Sequence, residues 1–302
     1  MCGVVRRVEF HRSCIMAAFD DALAEMTDES ISSGQRRATA ESIGAMGADL
    51  TAVEVARVVD QLSNPHNCDV GGGAISIRRA ALLALSALAD GGADGTPKSV
   101  SACVPNISLL LCHEDADARE MALRAMAVMA AHADGAAIVP LLADEESDVR
   151  LAAVDALAVL RETIDAGVIT RVVSLLKETD PADDENEARL CALRALGGIG
   201  KPAFPFAEVV VSCLADEAAP NRAAAATCLA SVTMDEATAA HVDAIAALLE
   251  DDDASVRAAA VEALGALSAA DSHGDAVSEL LGDPDRSVRS AATAVLKRWG
   301  VA

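Results

Sequence analysis

Residues that could act in catalysis or bind a metal are scattered along this sequence, without the spacing that such sites require. The pair His113-Glu114 could offer an imidazole and a carboxylate to a metal ion, but it stands alone. The acidic runs at 180–187 and 250–253 could attract calcium, yet neither has the glycine-punctuated alternation of a calcium loop. No phosphate loop, nucleophile elbow or catalytic triad is present. The sequence therefore predicts no catalytic residue, no bound metal and no cofactor.

The cysteines do not form a metal-binding or disulfide pattern either, because the sequence contains no C-x-x-C pair. Several of them stand where the repeats described below carry a small apolar residue. Thiols of this kind are typical of buried positions in a reducing compartment. We therefore expect a cytoplasmic protein with free cysteines. The eight cysteines are Cys2, Cys14, Cys68, Cys103, Cys112, Cys191, Cys213 and Cys228.

The charge balance limits the classes of partner. The 302 residues include 47 acids and 24 bases, which gives a formal net charge of -23. Such a chain should be repelled by nucleic acid and by anionic membranes, because binding to both depends on cationic side chains. No segment of the sequence is long and apolar enough to span a bilayer. The composition favours a protein partner, and we expect the chain to be a monomer before that partner binds.

Recurring arginines divide the chain into repeats of similar length. Successive members of the series are 31 to 42 residues apart, which is the length of a two-helix repeat. An apolar helix and an acidic turn precede the arginine, and a second helix follows it, as in 248–264 (LLEDDDASVRAAAVEAL). The arginines are Arg36, Arg78, Arg119, Arg150, Arg189, Arg222, Arg257 and Arg289.

The residues that follow these arginines indicate which side of the second helix is buried. Seven positions later the residue is always large and apolar, from Ile43 in the first repeat to Leu296 in the last. Positions three, four and seven lie on one side of a helix, so we expect this side to face the core. Eight positions later a small residue recurs until Lys297 replaces it. We therefore expect Lys297, Arg298 and Trp299 to form a C-terminal cap.

These columns resemble the HEAT-repeat family, whose units are paired antiparallel helices with an aspartate in the turn and an arginine early in the second helix. The resemblance implies an all-α fold, a right-handed α-solenoid of about eight two-helix HEAT-like repeats over residues 16–302. Armadillo repeats are related, but their asparagine ladder is missing here. In HEAT repeats the aspartate and arginine form a ladder between neighbouring repeats, which should be weaker here near the N-terminus, where Ser30 and His113 replace the aspartate. The resemblance assigns this structural ladder to Asp144, Arg150, Asp183, Arg189, Asp216, Arg222, Asp251, Arg257, Asp283 and Arg289.

Residues 1–15 differ from the rest in charge, since Arg6, Arg7 and Arg12 face a single acid. We interpret this segment as a disordered tail or as an extension upstream of a native start at Met16. A short targeting presequence is the alternative, because such signals are rich in arginine and poor in acids. The sequence leaves Met1 and Met16 open as the native start, and N-terminal sequencing of the native protein would decide between them.

Two enzyme families with HEAT-like folds are alternatives to a binding role. Deoxyhypusine hydroxylases place His-Glu pairs at the start of second helices, where they can ligate two irons. The corresponding positions here, one and two after each arginine, contain no histidine, so this activity is disfavoured. Phycobilin lyases of the HEAT-like class are also short and alanine-rich, but the similarity is only of architecture. Chromophore attachment of this kind stays as the alternative function.

The favoured function is a non-catalytic scaffold or adaptor that binds a protein partner. In a two-helix solenoid the second helices line the concave face, and their exposed positions are free to vary. Positions one and five after the arginine carry arginine and leucine in several of the first five repeats, and such residues suit the centre of an interface. The predicted partner-binding residues are Arg37, Arg79, Leu83, Arg124, Leu151, Leu190 and Arg194.

Overall fold

The structure is a computed structural model that describes residues 2–28, 30–46, 49–63, 76–90, 102–129, 134–177, 187–233, 238–267 and 269–301. Within these ranges every regular element is a helix, so the predicted all-α fold class is confirmed. Alanine and leucine, which are good helix formers, supply much of the chain. No helix in the described ranges is long and apolar enough to cross a membrane.

The helices of the described residues form eight successive pairs, one pair for each arginine of the series. The first helices of the pairs are α1 (Cys2–Thr27), α3 (Ala52–Val59), α5 (Val104–Leu110), α7 (Gly135–Ile138), α9 (Ala166–Leu175), α11 (Ala207–Ser212), α13 (Ala239–Ala246) and α15 (Ala270–Glu279). The second helices are α2 (Ser33–Met46), α4 (Ile77–Asp90), α6 (Ala116–Val128), α8 (Ser147–Val159), α10 (Glu187–Ile199), α12 (Ala219–Thr233), α14 (Ala254–Ala266) and α16 (Arg286–Trp299). Several first helices end in a 3-10 turn, as α13 does at Ala247–Glu250.

The chain divides into two compact units, unit 1 from residue 1 to 137 and unit 2 from residue 138 to 302. In unit 1, α2 packs against α1 and α4, and α4 packs against α6. In unit 2, α10 packs between α8 and α12, and α14 packs between α12 and α16. Second helices of successive repeats therefore lie side by side within each unit, as the stacking of a two-helix repeat requires.

The core of each unit contains the column of large apolar residues seven positions after the arginines. Each of them is at most 1% exposed, which confirms the prediction for position seven. Because these side chains project from one side of each second helix, they pack into the layer between the first and second helices. The column consists of Ile43, Leu85, Met126, Leu157, Leu196, Leu229, Leu264 and Leu296.

The small residue one position further along lies where neighbouring second helices come closest. A Cβ atom on Gly265 would be 2.6 Å from Cγ2 of Val295, so α14 and α16 could not pack as they do around a larger residue. The same position in α16 is occupied by Lys297, whose side chain is exposed. Gly300 ends α16 with a φ of 73°, the left-handed conformation that glycine adopts without strain at a helix C-terminus.

The acids of the turns cap the helices that follow them. Oδ1 of Asp253 accepts a hydrogen bond from the backbone N–H of Ser255 at 2.8 Å, and Asp285 accepts one from Ser287 at 2.7 Å. A cap of this kind stabilises a helix by roughly 0.5–2 kcal/mol. Within 250–253, one of the two acidic runs, Asp253 thus has a structural role, whereas most of the run at 180–187 lies outside the described residues.

The first helix begins at Cys2 and therefore includes residues 2–15, the segment that the sequence analysis assigns to an N-terminal tail. The division of the chain at residue 16 stays a prediction. In the second half of α1, Phe19, Leu23 and Met26 are buried. Their spacing of four and three residues places them on one side of the helix, and this side packs in the core of unit 1.

Candidate functional site

The arginine that opens each second helix first bonds the turn before it. Nη1 of Arg257 donates to the backbone carbonyl oxygens of Asp251 at 2.7 Å and Asp252 at 3.1 Å. These bonds tie the turn to the first coil of the helix and satisfy carbonyl groups that no helix would pair. The same two contacts, to the residues six and five positions earlier, are made by Arg119, Arg150, Arg222 and Arg289.

The other nitrogens of these guanidinium groups reach a carboxylate of the next repeat. Nε and Nη2 of Arg222 donate to the two carboxylate oxygens of Asp251 at 2.7 and 2.9 Å. Arg257 bonds Asp283 in the same way, at 2.8 and 3.0 Å. Two parallel charge-assisted bonds fix the orientation of both groups as well as the distance between them. Each arginine thus holds two successive turns of unit 2 together.

Asp216 shows how completely one of these carboxylates is surrounded by donors. It accepts hydrogen bonds from Nη1 of Arg189 at 2.6 Å, from the backbone N–H of Ala218 at 2.9 Å and from Nδ2 of Asn221 at 3.1 Å. Its side chain is only 4% exposed, and Asn221 is fully buried. A buried charge needs such partners, because desolvation alone would disfavour it.

Two of the carboxylates come from positions that a fixed spacing of six residues does not identify. Arg78 bonds the carboxylate of Asp115, and Arg150 bonds that of Glu187. Asp115 is also the N-cap of α6, where its Oδ1 accepts from the backbone N–H of Asp117 at 3.1 Å. The predicted ladder acid Asp183 lies outside the described residues. A search for acids at the helix N-cap would have found Asp115.

The arginine contacts make the stability of unit 2 depend on pH. Hydrogen bonds from Arg222 and Arg257 hold the pKa of Asp251 and the pKa of Asp283 below their ordinary range. When folding lowers the pKa of a carboxyl group, the ionised group stabilises the fold at pH values above its unfolded pKa of about 3.9. This stabilisation is lost as the pH falls through the pKa of the folded state. We therefore expect the Tm to fall on acidification between about pH 5 and pH 1. Thermal unfolding followed by circular dichroism should show that the Tm of Asp283→Asn falls less steeply with decreasing pH than the Tm of wild type. Equal dependence of Tm on pH in the two proteins would contradict the prediction.

The predicted partner-binding residues of unit 1 differ in how available they are. Arg37 is exposed, and it forms no hydrogen bond or ion pair with the described residues. Arg79 is also exposed but interacts with another residue, whereas Leu83 is half-buried. Arg124 is exposed but pairs with Glu120 one helical turn earlier, with Nη2 and Oε1 2.6 Å apart. Of these four residues, Arg37 is therefore the one whose cation is available to a partner.

In unit 2 the predicted residues lie on α8 and α10. Leu151 is 46% exposed, and Leu190 is half-buried. Arg194 is exposed and forms no hydrogen bond or ion pair with the described part of the chain. The structure thus provides one exposed leucine and one available arginine on neighbouring second helices of unit 2.

Arg194 borders a groove that the sequence analysis did not identify. The groove has a volume of about 510 Å³ and is lined by residues of α10, α12 and α14. Small residues make up most of the lining, and Arg194 is the charged residue among them. The small lining residues include Gly197, Gly198, Ala223, Ala224, Ser231 and Ala259. A partner chain could therefore approach the helix backbones closely and still meet a cation at the edge.

His113, the histidine considered for metal binding, has a structural role, and so does His241. Nδ1 of His113 accepts a hydrogen bond from the backbone N–H of Asp115 at 3.0 Å. His241 is buried and takes part in the capping box that opens α13. Within the described ranges, no group of three or more His, Cys, Asp or Glu side chains is arranged to hold a metal ion.

Comparison with known proteins shows similarity to helical repeat proteins. A family model described as HEAT repeats matches residues 207–297. The crystal structure of a Kap121p mutant is 14% identical in sequence over 94% of this chain and 33% of its own, with a TM-score of 0.53. The crystal structure of an engineered protein is 17% identical over 94% of this chain and 99% of its own, with a TM-score of 0.39. No curated protein matches the chain.

The family match and the fold agree with the geometry of the repeats. The matched residues include the arginine pairs with Asp251 and Asp283, and the likeness to the Kap121p mutant extends to the helical fold of most of the chain. This chain spans about a third of the length of Kap121p, so the likeness concerns the fold alone. Residues 207–297 are therefore similar to HEAT repeats, and the described residues have an all-α fold of successive two-helix repeats.

Proposed function

We propose that this chain is a non-catalytic adaptor that binds a protein partner on the exposed faces of its second helices. The observation that supports the proposal best is the groove of unit 2 with Arg194 at its edge. A groove without catalytic side chains, and with one available cation, fits the recognition of another chain better than the conversion of a substrate. Binding sites on repeat arrays are extended surfaces of this kind.

The lining of the groove favours close contact with a partner backbone. Gly197, Ala223 and Ala259 present little or no side chain, so the surface of the partner can approach the helices within van der Waals distance. Burial of such a surface costs little, because few charged groups lose their water. We infer that the partner places small or apolar side chains in this groove.

The arginine defines the polar part of the recognition. Its guanidinium carries five N–H donors in a fixed plane, and a carboxylate can accept two of them at once. Leu151, on the neighbouring helix, adds an exposed apolar side chain. Arginine and apolar residues together are enriched at the centres of protein interfaces. A segment with an acidic residue beside apolar ones is therefore the complementary partner.

Unit 1 contributes a second surface of similar composition under this proposal. Arg37 and Arg79 are exposed on α2 and α4, and the half-buried Leu83 follows Arg79 by one helical turn on α4. The surface thus combines cations with an apolar side chain, as the surface of unit 2 does. The remaining predicted residue, Arg124, is held by Glu120 and would have to leave that pair to bind a partner.

We place the adaptor in the cytoplasm on the basis of its cysteines. Cys191, Cys213 and Cys228 are buried as free thiols. Burial raises the pKa of the Cys213 thiol and the pKa of the Cys191 thiol, so both stay protonated and unreactive at neutral pH. Free thiols inside a folded chain are typical of proteins kept in a reducing compartment.

Charge reversal at the groove should release the partner. We expect Arg194→Glu to reduce the amount of a stoichiometric protein captured from the source cells by about tenfold or more, because a carboxylate of the partner would then face a carboxylate. Arg171→Glu is the matched control, since Arg171 is an exposed arginine on the first helix α9. Quantitative mass spectrometry of the captured proteins measures the effect.

The same capture experiment tests the alternative function. Equal recovery with wild type, Arg194→Glu and Arg171→Glu would contradict the proposed surface. A captured fraction that carries a visible chromophore, without a stoichiometric protein, would favour the chromophore-attachment function instead. Arg37→Glu together with Arg79→Glu examines the surface of unit 1 in a separate variant, so that the two units are tested independently.

A further inference from the structure

We infer that the groove of unit 2 receives a short α-helix of the partner, with small side chains on its buried face and one acid at the end beside Arg194. The inference rests on the proposed adaptor function and specifies the form of the segment that the groove accepts. That form follows from the shape of the groove floor, from the hydrogen-bonding groups of its lining and from its charge.

The floor of the groove is one face of α12. Two rows of small residues run along this face, and within each row the residues are four positions apart. When helices pack, the furrow between two such rows receives a row of residues from the other helix, and the axes cross at roughly 20–50°. The floor is therefore shaped for a helix. One row consists of Pro220, Ala224 and Cys228, and the other of Ala223, Thr227 and Ser231.

The neighbouring helices allow an occupant to cross α12 at an angle. A Cβ atom on Gly197 would be 3.4 Å from Cα of Cys228, so the C-terminal halves of α10 and α12 lie together. This half of α10 lines the groove with Gly197 and Gly198. In α14 the lining residues are Ser255 and Ala259, which belong to the N-terminal half. Because equivalent helices of a repeat array run in the same direction, the groove extends obliquely from the start of α14 across α12 to the end of α10.

An extended segment would leave its backbone groups without partners in this groove. Oγ1 of Thr227 donates to the carbonyl oxygen of Ala223 at 3.2 Å, and Oγ of Ser255 donates to Oδ1 of Asp253 at 2.5 Å, so both hydroxyl donors are engaged. The backbone groups of the lining helices pair within those helices. Burial of an unpaired N–H or C=O group is costly. A helix satisfies its own backbone groups and therefore avoids this cost.

The size of the groove sets how much of that helix is buried. From Pro220 to Ser231 the axis of α12 rises by about 16 Å, because each helical residue adds about 1.5 Å. A helix of this length with a diameter of about 10 Å occupies about 1,250 Å³. The groove has a volume of about 510 Å³, so it holds one side of such a helix and leaves the other side outside. The occupant is thus a helix of about three turns with small residues on one face only.

The charge of the lining determines where the occupant carries its acid. Among the described residues that line the groove, Arg194 alone is charged, and it lies at the end formed by α10. The chain as a whole has a net charge of -23, so a helix rich in acids would be repelled. We therefore expect one aspartate or glutamate at the end of the occupant that meets Arg194, and no charge along the rest of its buried face.

Peptide selection on the full-length chain tests the form of the occupant. Two display libraries are compared, each of peptides of about 16 residues, a little longer than the groove floor. One library randomises a single face of an alanine-rich helix, and the other has regularly spaced prolines that prevent helix formation. We expect binders from the helical library, with small residues on the randomised face and one acid near an end. Fluorescence anisotropy of the synthesised binders then measures their affinity.

Filling the groove floor should remove this binding. Thr227 is exposed on α12, and we expect Thr227→Trp to weaken binding of the helical peptides about tenfold or more, because the indole occupies their place. Thr170→Trp is the matched control, which should bind as wild type does. Thr170 is exposed on α9, and its Oγ1 donates to the carbonyl oxygen four residues earlier, as that of Thr227 does. Circular dichroism should show an unchanged Tm for both variants.

Charge exchange tests the position of the acid. Arg194→Glu should weaken binding of the same peptides about tenfold or more, because two carboxylates then meet. Replacing the acid of the peptide by lysine should restore binding to Arg194→Glu and weaken binding to wild type. Arg171→Glu should bind the original peptides as wild type does. Restored binding also shows that Arg194→Glu is folded.

Several results would overturn the helical occupant. These are a helical library without binders, binders from the proline library alone, or helical peptides that bind Thr227→Trp as tightly as wild type. If proline-containing peptides bind and Arg194→Glu still loses the captured partner, the adaptor function stands and its partner segment is extended. Unchanged capture of the partner by Arg194→Glu would contradict the adaptor surface itself, and the helical occupant would fall with it.

Discussion

Leu264→Ala should lower the free energy of unfolding by about 2–5 kcal/mol. Leu264 is fully buried in α14, and it belongs to the column of large apolar residues seven positions after the arginines. Truncation removes three carbon atoms from a close-packed layer and leaves a cavity, because the helices on either side are held by their own turns. The cost should be at the upper end of the range if the helices cannot move together to fill the space.

The matched control for this substitution is Leu281→Ala. Leu281 is 45% exposed in the 3-10 turn that precedes α16, so its truncation should change stability by no more than about 0.5 kcal/mol. Urea unfolding followed by circular dichroism measures both variants. Hydrogen exchange would show whether the loss of protection is centred on α14, as local packing predicts. Equal costs for the two substitutions would contradict the assignment of Leu264 to the core.

Arg257→Met should be among the most damaging substitutions of an arginine in unit 2, with an expected cost of about 3–5 kcal/mol. The change removes two bonds to the turn at Asp251 and Asp252 and both bonds to Asp283. The side chain of Asp283 is only 4% exposed, so its charge would be left buried without a cation. Removing one partner of a buried ion pair costs more stability than replacing both partners by apolar residues, because the remaining charge stays buried without a partner.

Arg289→Met provides the control, because Arg289 makes the same two bonds to its own turn but bonds no carboxylate of the described residues. We expect it to cost about 1 kcal/mol. Combining Arg257→Met with Asp283→Asn should recover part of the lost stability, since the buried charge is removed while an oxygen stays available for the N–H of Asp285. Thermal unfolding of the three variants at neutral pH is the measurement. Equal costs for Arg257→Met and Arg289→Met would show that the carboxylate contact contributes nothing.

Much of the fold could be predicted from the sequence, because every repeat has to meet the same local requirements for helix formation and packing. The buried column from Ile43 to Leu296 follows from helical periodicity, and the glycine at position 265 follows from the close approach of two helices. Both requirements act between residues that are near in sequence or in the adjacent repeat. The same pattern occurs in several repeats, so it is not a chance match. A pattern found in one helix alone would not exclude chance.

The carboxylates of the first three repeats could not be predicted in the same way. A fixed spacing indicates Ser30 and His113. In the structure, Arg78 instead bonds the carboxylate of Asp115, and the acid of the first turn is Asp28, whose carboxylate accepts the N–H of Ser30. The physical requirement is that a carboxylate reaches the guanidinium, and turns of different length meet it from different positions. His113 still contributes, since its Nδ1 accepts a backbone N–H as a turn aspartate would.

The candidate binding surface depends on neighbours that helical spacing does not reveal. Position five after the arginine predicts exposure for Leu83, Arg124 and Arg194 alike, but Leu83 is half-buried and Arg124 is paired with Glu120. The groove beside Arg194 arises from three helices together, so its volume follows from their packing and not from any one of them. Side-chain pairing and helix separation are tertiary properties, and the pattern of one helix does not contain them.

The arginine contacts of unit 2 have a direction, because the donor stands in one repeat and the acceptor in the next. Arg222 bonds Asp251, and Arg257 bonds Asp283. A gene segment that encodes one such repeat could therefore be duplicated in frame, since the new copy would present an aspartate to the arginine before it and an arginine to the aspartate after it. Reversing the order of the two helices within a repeat would break both contacts. The array can thus be lengthened by unequal recombination one repeat at a time, and each intermediate length would have complete internal contacts.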